Sequence, residues 1–115
     1  MSTVCIDTHD LEGDARDWAV SKIQYTNPVQ IGGSTVMVYK GVPFDYHPST
    51  DWAQGGQIIE REKIEVFIRD GGWFAYSSLS KPEDFHGETP LIAAMRCFVA
   101  LSLGHEVDVP EELIK

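Results

Sequence analysis

Apolar positions along this chain repeat with two different periods. In "EGDARDWAVSKIQ", Ala15, Trp18, Ala19 and Ile23 recur at helical spacing, the signature of a helix with one buried face. Asp14 and Asp17 lie toward its positive end, and Pro28 beyond it predicts a stop by about Tyr25. "TPLIAAMRCFVALSLG" predicts a second, more apolar helix. Thr89 is its N-cap, Pro90 its first residue, and Gly104 follows its end. Its apolar arc is wide, with a stripe of small residues, Ala93, Cys97 and Ala100, on the opposite side. Only Arg96 interrupts this surface with charge, so the helix reads as a core element. The small stripe lets a second backbone approach closely, within the chain or across a homo-oligomer.

The other period is two. "KIEVFIRDGGWFAYSS" reads as a β-hairpin around Asp70-Gly71-Gly72. A three-residue loop sets Ile68 opposite Phe74 and Val66 opposite Tyr76, which collects Ile64, Val66, Ile68, Phe74 and Tyr76 on one face. "STVMVYK" predicts a strand after the Gly32-Gly33 turn, "VPFDYHP" a Pro-rich connection, and "SKPEDFHGE" a loop. "EVDVPEELIK" adds a short strand and a final helical turn. Between these lies "HPSTDWAQGG". Ser49, Thr50 or Asp51 can cap a helix continuing through "DWAQGGQIIERE". Gly55 and Gly56 weaken it by roughly 1 kcal/mol each relative to Ala, so they need a reason in packing or in a ligand. Helices and hairpin-linked strands together predict an α+β fold: a small, mostly antiparallel sheet with helices packed on it.

Length and composition narrow the class. The chain has 115 residues, 43% of them hydrophobic, which suits one domain over residues 1–115. No run of about 18 apolar residues predicts a membrane span. "MSTVCIDTHD" is not a secretory signal. Cys5 and Cys97 are too few for a disulfide framework and read as reduced, cytoplasmic thiols. A net charge of −9 repels a phosphate backbone, so no nucleic-acid polymer is expected as a partner. It leaves room for a small anion held by a few local cations, or for an acidic surface that occupies a partner's basic groove.

"PSTDWAQGGQIIEREKI", followed by "ETPLIAAMRCFVALSLGHEVDVPEEL", resembles small bacteriophage proteins of the NinX-like group and the related phage ABA-sandwich domain. "LEGDARDWAVSKIQ" is similar to that group's N-terminal "LxGxALDWAVAK" pattern, and the resemblance runs over residues 11–113. It implies an α/β/α sandwich and an accessory protein working in the cytoplasm of the bacterial host. It supplies no catalytic mechanism. Two departures stand out: Gln57 where the group has proline, and Arg16 in place of an apolar residue. "QIGGSTVMVYKGVPFDYH" is the least family-like segment and a place for function particular to this protein.

Candidate chemistry centres on the capping loop. Ser49, Thr50, Asp51, Trp52, Gly55 and Gly56 read either as a helix start or as a pocket, with Trp52 offering a flat stacking face. The free N–H groups after Thr89 suit a phosphate. Arg61 and Arg96 are the cations nearest these elements, and Arg96 calls for a carboxylate inside the chain or a ligand phosphate. Arg69 opposite Trp73 reads as a cation–π pair. "DTHD" offers Asp7, His9 and Asp10 as metal ligands, but His47, His86 and His105 are scattered without ligand spacing, so no metal site is read. No nucleophile elbow, phosphate loop or zinc-protease motif occurs, and no cofactor is expected. The leading expectation is a non-catalytic phage protein, acting in counter-defence by sequestering a small planar anionic, nucleotide-derived ligand. The alternatives are an acidic inhibitor or adaptor of a host protein, such as a defence component, and a small hydrolase.

Overall fold

The computed structural model describes residues 2–24, 29–31, 34–39, 42–77 and 83–114, and of residues 29–44 only the backbone. Helices form where the 3.6-residue period predicts them: α1 over Gly13–Gln24, α2 over Trp52–Glu62 and α3 over Pro90–Leu103. Asp51 caps α2 by accepting from Ala53 N at 2.8 Å, and Lys63 closes it in the left-handed conformation. Thr89 caps α3 through Ile92 N at 3.1 Å, and Gly104 ends it at φ 93°.

The strands are β1 (Thr3–Asp7), β2 (Val29–Ile31), β3 (Ser34–Tyr39), β4 (Val42–Asp45), β5 (Glu65–Arg69), β6 (Gly72–Tyr76), β7 (Phe85–Gly87) and β8 (Glu106–Pro110). Every described pairing is antiparallel. The α+β class is as expected, with the strands shared among three small sheets, β1–β8, β2–β3–β4 and β5–β6–β7. Two segments read as connections are strands. Val42–Asp45 pairs with β3, and Phe85–Gly87 pairs with β6. Both are short edge strands, where a Pro or a short run is tolerated because only one side is paired. Strand β1, bracketing the chain against β8, is a long-range pairing with no local signal. The predicted Gly32-Gly33 turn lies outside the described residues. So do the side chains of most of the "QIGGSTVMVYKGVPFDYH" segment.

The hairpin forms, but its register differs from the expectation. Its loop is two residues, Asp70 and Gly71, both at positive φ. Phe67 therefore faces Phe74, Ile68 faces Trp73 and Val66 faces Ala75. A two-residue turn with both φ values positive matches the twist of the strands, whereas a three-residue loop spends Gly72 that the ladder needs. The one-residue slip puts Val66, Ile68, Trp73 and Ala75 on one face and Phe67, Arg69, Phe74 and Tyr76 on the other. It also moves Arg69 away from Trp73. Its guanidinium lies 4.1 Å from the Phe74 ring centroid and bonds Asp84 through both Nη atoms, at 2.7 and 3.3 Å.

Helix α3 is the hub of the core. The β5–β6–β7 sheet, α1, α2 and β8 all pack against it. Leu91, Ala94, Met95, Phe98 and Val99 are buried, each large apolar side chain contributing roughly 1.5–3 kcal/mol. The small-residue stripe meets its second backbone within the chain. A Cβ on Gly87 of β7 would fall 2.3 Å from Ala93 N, so only glycine permits this approach. Ala93 and Cys97 are fully buried, and Ala100 is half-buried.

Candidate functional site

The loop before α2 is built from backbone hydrogen bonds. His47 O accepts from Thr50 N at 3.1 Å and Asp51 N at 2.8 Å. Gln54 reaches back to His47 N and to Asp45 O. Within this turn Ser49 points inward. Its N donates to Asp17 Oδ1 at 3.0 Å and its Oγ accepts from Arg16 Nε at 2.8 Å. Ser49 is thus committed to α1. Gly55 is wedged beneath the same turn, where a Cβ would lie 2.2 Å from Pro48 O. Packing explains this glycine. Gly56 has ordinary room, its nearest neighbour for a Cβ being Trp52 Cε3 at 3.6 Å. Thr50, Asp51 and Trp52 face solvent, the indole 57% exposed, and they line neither of the two described hollows. Arg61 is engaged elsewhere, bonding Glu62 and Gln24 and lying over Phe98.

Arg96 leads to a different place. It lines a hollow of about 420 Å³ between the start of α1 and the first half of α3. Ile92 and Arg96, spaced by four, form the α3 wall, Glu88 and His86 come from the segment before that helix, and Arg16 and Glu12 come from the α1 side. Two guanidiniums converge here on one acceptor. Arg16 Nη1 and Arg96 Nε each donate to Leu11 O at 3.0 Å. Arg96 Nη1 also donates to His86 O at 2.8 Å. Among the described residues, no carboxylate oxygen lies within 4.0 Å of either guanidinium. The partner of Arg96 is therefore main-chain carbonyl, not a carboxylate.

The electrostatics follow. Arg16, only 5% exposed, is pushed below the ordinary arginine range, first by burial and then by repulsion from Arg96. Asp17, Glu12 and Glu88 oppose that shift. Arg96 is lowered by burial too, against the pull of Glu12, Asp10 and Glu88. An anion accepting from both guanidiniums would offset the desolvation that lowers them. Glu12 and Glu88 are exposed on the rim, where water screens them. The first turn of α3, capped by Thr89, stands beside the hollow and adds the positive end of its dipole. A neighbouring hollow of about 450 Å³ has the opposite character, with Asp7, Asp10, Glu12 and Asp14 in its wall. An anion would avoid it.

The predicted site residues thus separate into groups. Arg96 lines the two-arginine hollow, and Thr89 does not, though its neighbour Glu88 does. Trp52, Thr50, Asp51 and Gly56 form an exposed ridge, with Ser49 and Gly55 buried beneath. Arg16, Glu12, Glu88 and His86 were missed. Arg16 carried a signal, since it breaks the apolar pattern of α1 and is yet buried.

Two side-chain groups have metal-ligand chemistry: His9, Glu83 and His105, and Asp14, Asp17 and His47. In the second, Asp17 is buried and occupied by Ser49. Burial raises the Asp17 carboxyl above its ordinary value, opposed by hydrogen bonds from Ser49 and by the charges of Arg16 and His47. Neither thiol suits nucleophilic work. Cys97 is buried, and Cys5 is held above its ordinary range by loss of water and by the carboxylates of Glu106 and Asp108.

A family model described as "Bacteriophage P22, NinX" matches residues 7–102. The chain belongs to that phage family. The match spans α1, α2, the hairpin and nearly all of α3, so the two-arginine hollow lies within the NinX-family region. No curated protein matches the chain. Among the described residues of this NinX-family protein, no helix is long and apolar enough to cross a membrane.

Proposed function

We propose that this NinX-family protein is a non-catalytic binder that captures a small phosphate-bearing, nucleotide-derived molecule in the hollow between α1 and α3. In the infected cell's cytoplasm, such capture removes a signal of a bacterial defence system. One observation carries the reading: Arg16 and Arg96 share the Leu11 carbonyl, are desolvated, and lack a carboxylate partner among the described residues. A hollow of about 420 Å³ suits a ligand of nucleotide size. Guanidinium planes bind phosphate through paired N–H groups and stack on flat rings.

Calorimetry against cyclic dinucleotides, ADP-ribose derivatives and inorganic phosphate tests this. The wild type binds one of the nucleotides, and the ligand is recovered unchanged after denaturation. Arg96→Ala weakens binding by roughly 10–100-fold, the equivalent of a charged hydrogen bond of about 1.5–3 kcal/mol. Absence of binding across the panel, or equal binding by Arg96→Ala, defeats the proposal. Recovery of a converted product would instead favour the hydrolase.

A second reading rests on two exposed apolar side chains. Trp52 of α2 and Ile68 of β5 are 57% and 63% exposed on a chain of net charge −9. That combination suits an acidic adaptor docking on a host protein through an apolar anchor. Salt-sensitive capture of a host protein, lost in Trp52→Ala and kept in Arg96→Ala, would favour it.

A further inference from the structure

Two of the histidines, His9 and His105, lie far apart along the chain but meet in space. His9 follows β1, and His105 precedes β8. The β1–β8 ladder ends at the Asp7–Glu106 pair, immediately beside them. Two more bonds continue the clamp: Thr8 N donates to His105 O at 2.7 Å, and Thr8 Oγ1 donates to Gly104 O at 2.7 Å. Thr8 is fully buried, so the backbones carrying the two imidazoles are held together from below. The third member arrives from another sheet. Glu83 precedes β7, and Phe85, two residues on, stacks under the His9 ring at 4.5 Å between centroids. That stacking on a fully buried phenyl ring sets the plane of the His9 imidazole.

We infer that His9, Glu83 and His105 form a binding site for a divalent transition metal, zinc in the first instance, at the junction of the β1–β8 ladder with the strand entering β7. His9 Nε2 lies 2.6 Å from Glu83 Oε2, and His105 Nδ1 lies 3.4 Å from Glu83 Oε1. One donor atom from each residue can be chosen so that all lie within 4.8 Å of one another. Bond lengths of about 2.0–2.2 Å place the donors of a tetrahedral zinc ion about 3.3 Å apart. The three groups span that separation, and modest rotation of partly exposed side chains brings them to it. His9 Nε2 and Glu83 Oε2, 2.6 Å apart, are within hydrogen-bond distance, and the metal takes the place of the hydrogen between them. Two imidazole nitrogens and one carboxylate select zinc, copper, nickel or iron over magnesium and calcium, which take oxygen donors. Three protein ligands leave a position open for water or for a ligand atom. The site is separate from the two-arginine hollow, so each stands without the other.

Zinc titration of the full chain, stripped of metal and carrying Cys5→Ser to remove the exposed thiol, tests the inference. One zinc binds per chain and raises the melting temperature, while magnesium does neither. Cobalt in its place gives the visible absorption of a low-coordinate ion. His105→Ala and Glu83→Gln each weaken zinc binding by on the order of 10-fold or more, and the cobalt spectrum collapses in both. The His105 side chain is 68% exposed, so its truncation spares the core even if His9→Ala, which loses the stack on Phe85, folds poorly. Absence of saturable zinc uptake, or uptake unchanged in both His105→Ala and Glu83→Gln, overturns the assignment.

Discussion

Adjacent glycines in α2 should respond oppositely to the same substitution. In Gly55→Ala the new Cβ would stand 2.2 Å from Pro48 O and 2.7 Å from Leu91 Cδ2. An ordinary contact begins near 3.4 Å, so 3.4 − 2.2 = 1.2 Å of movement is needed at the carbonyl. Leu91 can rotate its terminal methyl. The Pro48 carbonyl cannot turn away easily, because the next residue, Ser49, is bonded to both Arg16 and Asp17. Helix α2 must then retreat, lifting Ile58 from the core. Overpacking of this kind costs about 1–3 kcal/mol, against a helix-propensity gain of about 1 kcal/mol for Ala over Gly. The net expectation is a loss of up to about 2 kcal/mol. In Gly56→Ala the Cβ meets only Trp52 Cε3, at 3.6 Å, so the propensity gain survives as about 0.5–1 kcal/mol. Urea unfolding followed by circular dichroism separates the two midpoints by on the order of 1 M, taking m near 1–2 kcal/mol/M. Equal midpoints, or a higher one for Gly55→Ala, would show that close packing is not why glycine stands there.

Two further outcomes concern the fold. Asp17 has its carboxyl raised in the folded state, so the native chain binds a proton more readily than the unfolded one. Its charged form therefore costs stability above that window, and the cost fades as pH falls toward the ordinary value of 3.8. The stability of the wild type relative to Asp17→Asn should rise as pH is lowered from about 7 to about 4, and a gap that stays flat would refute the burial argument. At the hairpin, Gly71 holds φ 79°. Gly71→Ala should cost about 1–2 kcal/mol in thermal or urea unfolding and Gly71→Asn less, and a neutral Gly71→Ala would refute the positive-φ turn.

Legibility in the sequence followed the range of the interaction. The three helices were readable because caps and apolar period act within a few residues: Asp51 before α2, Thr89 and Pro90 at α3, Gly104 at its end. The hairpin was readable as a hairpin for the same reason, through Asp70-Gly71. Its register was not, because both faces carry large apolar groups and the pattern alone permits a one-residue slip; turn dihedrals settled it. Strands β4 and β7 were missed since short edge strands have little periodicity to show. The tryptophan-and-glycine loop combined residue types that fit a pocket, yet tertiary packing alone decides that Gly55 accommodates the Pro48 carbonyl while the Trp52 ring points outward.

By itself, the amino-acid order determined the α+β class, the positions of the helices, the caps and the family. The tertiary structure alone decided which charges meet. Arg16 and Arg96 are 80 residues apart and share the carbonyl of Leu11. His9 and His105 are brought together by strand pairing at the two ends of the described chain. Helix formation depends on neighbours a turn away. A site depends on side chains that approach only after the core has closed, and no local pattern encodes that distance.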